Sequence, residues 1–396
     1  MIKADSRALV FLLGSLTALT ALAIDMSLPA LPTLAHEFLA SPDQVQLTLS
    51  LFVAGYAIGQ VFHGPLSDRF GRKPVMLAGL AIYILAGIAC ALSASISVLV
   101  TARLVMGFGG CVGPVLARAV VRDHFGGGRA AQMFSSLTAV FALAPLVAPM
   151  IGGFLLVNWG WPAIFWLLAA FAAGLFVVVW TQFGESHPAP DLRALEPRRI
   201  AANYASFLKN RACLGFALVN GICWAGIFVF LSASPFAFIE VYGVRPDRYG
   251  FYFALSAVSL VIGAFSNKYL LRHFHGENVL QAGFAATIFG GTIVLAACLT
   301  RWGGAAGVMA GFLFYIWGQA LVSPNAMAAA LEPVPHMAGS GAALVGIVQM
   351  GAGALAGYAV NALYDGTPVP MGAMILAMGI LSAAIYYAWV HPRAHE

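Results

Sequence analysis

Gly64-Pro-Leu-Ser-Asp-Arg-Phe-Gly-Arg-Lys-Pro74 carries Asp68, Arg69, Arg72 and Lys73 within one short stretch, in a chain of which only 9% is charged. Apolar runs flank it, from Val45 to Phe62 before and from Val75 to Leu92 after. Both runs approach the length of a membrane span, so the charged stretch between them belongs in water. Its excess of Arg69, Arg72 and Lys73 marks the cytoplasmic side. Gly64 and Gly71 suit a tight turn there, with Pro65 and Pro74 punctuating the helix ends.

Outward from this loop, the composition points the same way. The chain has 396 residues, 61% of them apolar, and a mean hydropathy of +0.88. That leaves too little polar sequence to cover a soluble globule of this size. Apolar stretches of spanning length recur from end to end, which predicts an all-α polytopic membrane protein embedded in a lipid bilayer. The formal charge of +5 is spread over short loops rather than gathered in a patch, so no nucleic-acid partner is expected. The five cysteines, Cys90, Cys111, Cys213, Cys223 and Cys298, all lie in apolar segments and read as packing residues. Lys3 and Arg7 before an apolar run ending at Ala23 mimic a cleavable signal peptide. The segment continues through Asp25 to Pro32 at spanning length, and it is expected to be retained.

Twelve spans are expected, approximately 8–31, 45–63, 75–92, 98–118, 132–154, 163–183, 213–233, 249–271, 279–299, 304–322, 338–362 and 371–390. The longest polar stretch, with Pro188, Pro190 and Pro197, falls between the sixth and seventh. It divides the chain into two six-helix bundles, residues 1–184 and 212–396, joined by a cytoplasmic linker at 185–211. With the N-terminus inside, sixteen Lys and Arg residues fall in cytoplasmic segments and three, Arg245, Arg248 and Arg301, outside. This asymmetry predicts that both termini are cytoplasmic. An internal repeat is visible in hydropathy but weak in letters: Asn267–Arg272 keeps the basic character of the first loop without its pattern.

Two ionisable side chains lie well inside spans, Asp25 and Arg103. Each costs about 2.5–3.5 kcal/mol or more at a bilayer centre, so each is expected to face protein or a water-filled cavity. Both sit about 8–9 Å below the outer boundary at 1.5 Å per residue, and they could share one cavity. Asp25 reads either as a proton-binding carboxylate or as a structural ion pair or cap at a break near Pro29. Burial disfavours its ionised form and a nearby Arg103 favours it. Pro145 and Pro149, one turn apart in the fifth span, with Gly152 and Gly153 behind them, read as a hinge or tight seam, or as a plain kink. Gly55 and Gly59, Gly107, and Gly353 and Gly357 mark close-packing faces. Asn220, Trp224, Tyr315, Gln319 and Gln349 fall near mid-span, where they could line a substrate cavity or merely tie helices together.

No Walker loop, HExxH, GxSxG or ligand-spaced Cys and His is present in the sequence. No enzymatic activity, cofactor or metal is therefore expected, and any transport would run on gradients.

The stretch Gly64–Pro74 resembles the loop signature of the major facilitator superfamily. Arg103-Leu-Val-Met-Gly107 is similar to its fourth-span motif, and Pro145–Gly153 to the fifth-span motif of drug antiporters, with Ala148-Pro149 where Gly-Pro is usual. Ile24-Asp-Met-Ser-Leu-Pro-Ala-Leu-Pro32 looks like the first-span signature of the twelve-span drug:proton antiporters. Trp161–Trp166, Phe230–Pro235, Tyr249–Ala254, Ser323–Met327 and Pro335–Gly339 resemble the bicyclomycin-resistance (Bcr/CflA) family.

The resemblance implies two pseudo-symmetric bundles working by alternating access in the bacterial inner membrane, as a monomer. It implies a proton-coupled antiporter exporting small, mainly neutral or zwitterionic antimicrobial compounds of the bicyclomycin, chloramphenicol or florfenicol kind; the alternative is a metabolite or sugar exporter on the same fold. Asp25 would be the coupling carboxylate and Arg103 its modulating partner. Gly64, Asp68, Arg69, Gly71, Arg72, Arg122 and Asp123 would form a conformational latch, with Asp68 facing the start of the eleventh span near Ala338. The stretch from Phe11 to Ala23 lacks the second acidic residue that some relatives carry, which departs from a simple two-proton exchange.

Overall fold

The computed structural model describes residues 7–124, 127–186, 207–334 and 338–390, and every regular element among them is helical. The first half contains α1 (Arg7–Asp25), a 3-10 turn (Leu28–Ala30), α2 (Leu31–Glu37), α3 (Pro42–Phe70), α4 (Arg72–Ala91), α5 (Ile96–Gly110), α6 (Val112–His124), α7 (Gly127–Trp159) and α8 (Pro162–Gln182). The second half contains α9 (Arg211–Pro235) with a π-helical extension (Phe236–Val241), then α10 (Pro246–Leu270), α11 (Gly276–Thr300), α12 (Gly304–Leu331) and α13 (Ala338–Ala362). It ends with α14 (Val369–Ile385) and a π-helical turn (Tyr386–Val390).

Among the described residues, eleven helical segments are long and apolar enough to cross a membrane, and Ala144–Trp159 is a shorter apolar run. That run is the C-terminal part of α7, a 33-residue helix that contains the expected fifth span. The chain divides into two compact units, Met1–Glu196 with Pro246–Gly250, and Pro197–Arg245 with Phe251–Glu396. Residues 187–206 of the expected linker lie outside the described residues.

Three boundaries differ from the sequence reading. Helix α3 runs straight through Gly64 and Pro65 to Phe70, so the expected turn shrinks to Gly71 alone, with φ +96°. A proline in a helix removes only the bond from its own nitrogen, here the one to the Val61 carbonyl, and the remaining turns hold. The first span breaks at Asp25 rather than closing at Pro32. Pro29 and Pro32 fall in the first turns of the 3-10 segment and of α2, where a missing N–H costs nothing. The fourth span is two helices, α5 and α6, meeting at Cys111.

Each unit is held together where backbones touch. In the first, α3 packs on α5 through Gly55, whose added Cβ would strike the Leu104 carbonyl, and Gly107, which meets the Phe52 carbonyl in the same way. In the second, α11 packs on α12 through two glycine contacts. A Cβ on Gly311 would lie 2.6 Å from the Val294 amide nitrogen, and one on Gly318 2.7 Å from that of Thr287. Without water to drive association between apolar helices, such close approach supplies the dispersion contact that holds them. All five cysteines are buried and unbridged.

Candidate functional site

Arg103, on α5, is fully buried. Its Nε donates to the Thr48 carbonyl at 3.1 Å, and Nη1 donates to the Ala23 carbonyl at 3.0 Å. Nη2 donates to Ser27 Oγ at 3.3 Å. Its guanidinium carbon lies 4.3 Å from the Phe52 ring centroid and 5.7 Å from that of Phe165. Three oxygen acceptors and two π faces replace the hydration that a buried cation gives up. Two of those acceptors, Ala23 and Ser27, bracket Asp25 along the chain, so the guanidinium staples the break at the end of α1.

Asp25 itself is 6% exposed, and among the described residues its carboxylate makes no hydrogen bond or ion pair. The expected Asp25–Arg103 pair is therefore not formed: the arginine spends its donors on backbone carbonyls and a hydroxyl. Sequence reasoning missed Ser27, although it stands beside Asp25 in the first-span motif. Its hydroxyl also donates to the Ile24 carbonyl at 2.7 Å, which ties the first residues after the break back onto α1.

A second cluster lies where α3 meets α4. Arg72, its side chain only 5% exposed, donates through Nη1 to Asp68 Oδ1 at 2.5 Å and to Ser67 Oγ at 2.7 Å. Its Nε donates to Asp123 Oδ2 at 2.9 Å, which joins the end of α6 to the same guanidinium. Glu185, also missed in the sequence, completes the cluster. Its two oxygens accept from the backbone amides of Arg72 at 2.8 Å and Lys73 at 3.1 Å. These are first-turn amides of α4 that have no partner within the helix, and a carboxylate suits the positive end of the helix dipole. An added Cβ on Gly71 would sit 2.6 Å from Glu185 Oε2 and displace that carboxylate, and the positive φ favours glycine there.

The other latch residues stand apart from this cluster. Gly64 has open space around its Cα, and Arg69 is exposed beside the Phe70 ring. The Arg122 side chain lies outside the described residues. Pro145 and Pro149 fall inside the continuous helix α7. Gly152 is pressed against the Met26 backbone, just past Asp25, and Gly153 is buried.

In the second unit, Asn220 Nδ2 donates to Gln349 Oε1 at 3.4 Å, across α9 and α13. The Tyr315 hydroxyl donates to the Cys223 carbonyl at 2.9 Å, a tie between α12 and α9. Asn220 Oδ1, Trp224 Nε1 and Gln319 Oε1 are buried without a hydrogen-bond partner among the described residues. Buried polar atoms in folded proteins are nearly always satisfied, so three unmet ones on two neighbouring helices mark a place for water or ligand.

Comparison with known proteins agrees with the all-helical membrane fold. The model of the Major Facilitator Superfamily matches residues 13–357. A bicyclomycin resistance protein homolog of Haemophilus influenzae is 33% identical over 381 residues, covering 96% of this chain and 95% of its own. The uncharacterized MFS-type transporter YdgK of Bacillus subtilis is 32% identical, covering 98% and 97%. Multidrug resistance protein D of Escherichia coli is 27% identical, covering 96% and 95%. Among solved structures, a D-xylose–proton symporter superposes with a TM-score of 0.74 at 16% identity, over 97% of each chain, a likeness of fold alone.

Proposed function

Because the chain belongs to the Major Facilitator Superfamily, as a multi-pass transporter rather than an enzyme, we propose that it is a proton-coupled antiporter exporting small antimicrobial compounds. The observation that carries this reading is Asp25, a buried carboxylate at a break in the first span with no partner among the described residues. A permanent charge there would be costly, whereas a group that takes up and releases a proton resolves that cost once in each cycle. Arg103 supports this by holding the Ala23 carbonyl and the Ser27 hydroxyl on either side of the carboxylate while leaving the carboxylate itself unbonded. A site alternately exposed to two compartments, binding either proton or drug, is the physical minimum for antiport.

The substrates are small, mainly neutral drugs of the bicyclomycin, chloramphenicol and florfenicol kind. They meet the unsatisfied groups of Asn220, Trp224 and Gln319, with Tyr315 and Gln349 holding the surrounding helices. The protein works as a monomer in the bacterial inner membrane, with both termini cytoplasmic. The Asp68–Arg72–Asp123 cluster acts as the latch between conformations, and Pro145, Pro149, Gly152 and Gly153 as the hinge in α7.

Drug resistance in a susceptible strain tests the reading. The substitution Asp25→Asn should abolish resistance at an unchanged amount of folded protein in the membrane. Resistance equal to wild type would refute the assignment.

A further inference from the structure

A cavity of about 500 Å³ opens within the second unit, at the ends of α9, α11 and α12, and takes in none of the residues assigned above. Leu280 and Val390 form an apolar floor. Two carboxylates line it, Glu277 from the first turn of α11 and Glu332 just beyond α12, and among the described residues no Lys, Arg or His lines it. Glu277 accepts a hydrogen bond from the Tyr386 hydroxyl at 2.6 Å, which fixes its position. Glu332 is at the rim, within reach of solvent. The last turn of α12 ends at Leu331 and its terminal carbonyls add negative potential at the same edge, while Glu277 offsets the positive end of α11 at Gly276.

The Phe216 and Tyr386 rings stand 6.3 Å apart at 48° and both border the cavity. Aromatic lining beside carboxylates suits a cation that also carries hydrocarbon: the aromatic groups attract its charge and the floor covers its apolar part. A hydrated metal ion would gain nothing from the floor, and an anion would be repelled by the rim. We propose that this cavity binds an organic ammonium group, with Glu277 and Glu332 as counter-ions and the rings of Phe216 and Tyr386 as walls. The ammonium can belong to a free lipophilic cation or to an ethanolamine lipid headgroup. The assignment is independent of the drug-export reading.

The full-length protein, purified in a maltoside detergent, would be titrated with benzyltrimethylammonium by calorimetry, with benzenesulfonate as the anionic control. Saturable binding is expected for the cation only. Glu332→Gln, at the solvent-facing rim, should weaken it at least about tenfold, and Glu277→Gln combined with Glu332→Gln should remove it. Native mass spectrometry of the same protein, doped with phosphatidylethanolamine or phosphatidylglycerol, separates the two sources. Preferential retention of phosphatidylethanolamine, lost in the double variant, assigns the headgroup; cation binding without that preference assigns a free cation. Equal binding of ammonium and sulfonate, or retention of ligand unchanged in the folded double variant, would overturn the proposal.

Discussion

At Asp25 a carboxylate is buried at the end of a helix, while the Arg103 guanidinium is spent on the Ala23 and Thr48 carbonyls and the Ser27 hydroxyl. That arrangement separates two roles which charge alone would merge: Arg103 shapes the break, and Asp25 keeps its carboxylate for the proton exchange proposed for it. Arg103→Lys keeps the charge but loses the planar fork that reaches three acceptors at once. It should lower the melting temperature of the purified protein and cut drug efflux at least about tenfold, because misplacing a reacting group by an ångström is worth that much or more. Efflux and melting temperature both equal to wild type would show that the staple is dispensable. Charge scarcity made Asp25 and Arg103 legible in the sequence, since intramembrane charges stand out against an apolar background. The acceptors of Arg103 were not legible, because two of them are backbone carbonyls, which every residue carries.

Among the helices, the junction of α3 and α4 shows how a single glycine separates two long elements. Gly71 takes φ +96° and leaves room for Glu185, whose carboxylate caps α4 from far along the chain. Glu185→Ala would leave two first-turn amides without their cap and should cost about 0.5–2 kcal/mol of stability, read as a lowered denaturation midpoint. Asp68→Asn should slow turnover with little effect on drug affinity, measured by transport kinetics alongside equilibrium drug binding. A large loss of affinity at unchanged turnover would argue against the latch. Gly107→Val would force a side chain into the Phe52 backbone and should destabilise the first unit by about 1–3 kcal/mol, visible as earlier thermal aggregation. The charged motif and the glycine faces could be read from letters. The uninterrupted run of α3 through Pro65 could not, because a proline that ends one helix is tolerated inside another with enough remaining turns. Glu185 was hidden in the polar stretch after the sixth span, where no periodicity points to a helix that begins at Arg72.

For the molecule as a whole, apolar runs of spanning length carried the fold: they appear as helices in two compact units, with the run of α3 through Pro65, the break at Asp25 and the seam at Cys111 as the departures. Alternating access requires that the proton site and the drug site open to either side in turn and never to both. One carboxylate, Asp25, is proposed to couple the two fluxes. The most direct test is proton release from inverted membrane vesicles with an acidic lumen, challenged with chloramphenicol-like and bicyclomycin-like compounds, with wild type and Asp25→Asn side by side. Drug-triggered proton efflux is predicted from wild-type vesicles and none from the variant. Drug-triggered efflux of equal size from both, with folded protein in each, would contradict that coupling role.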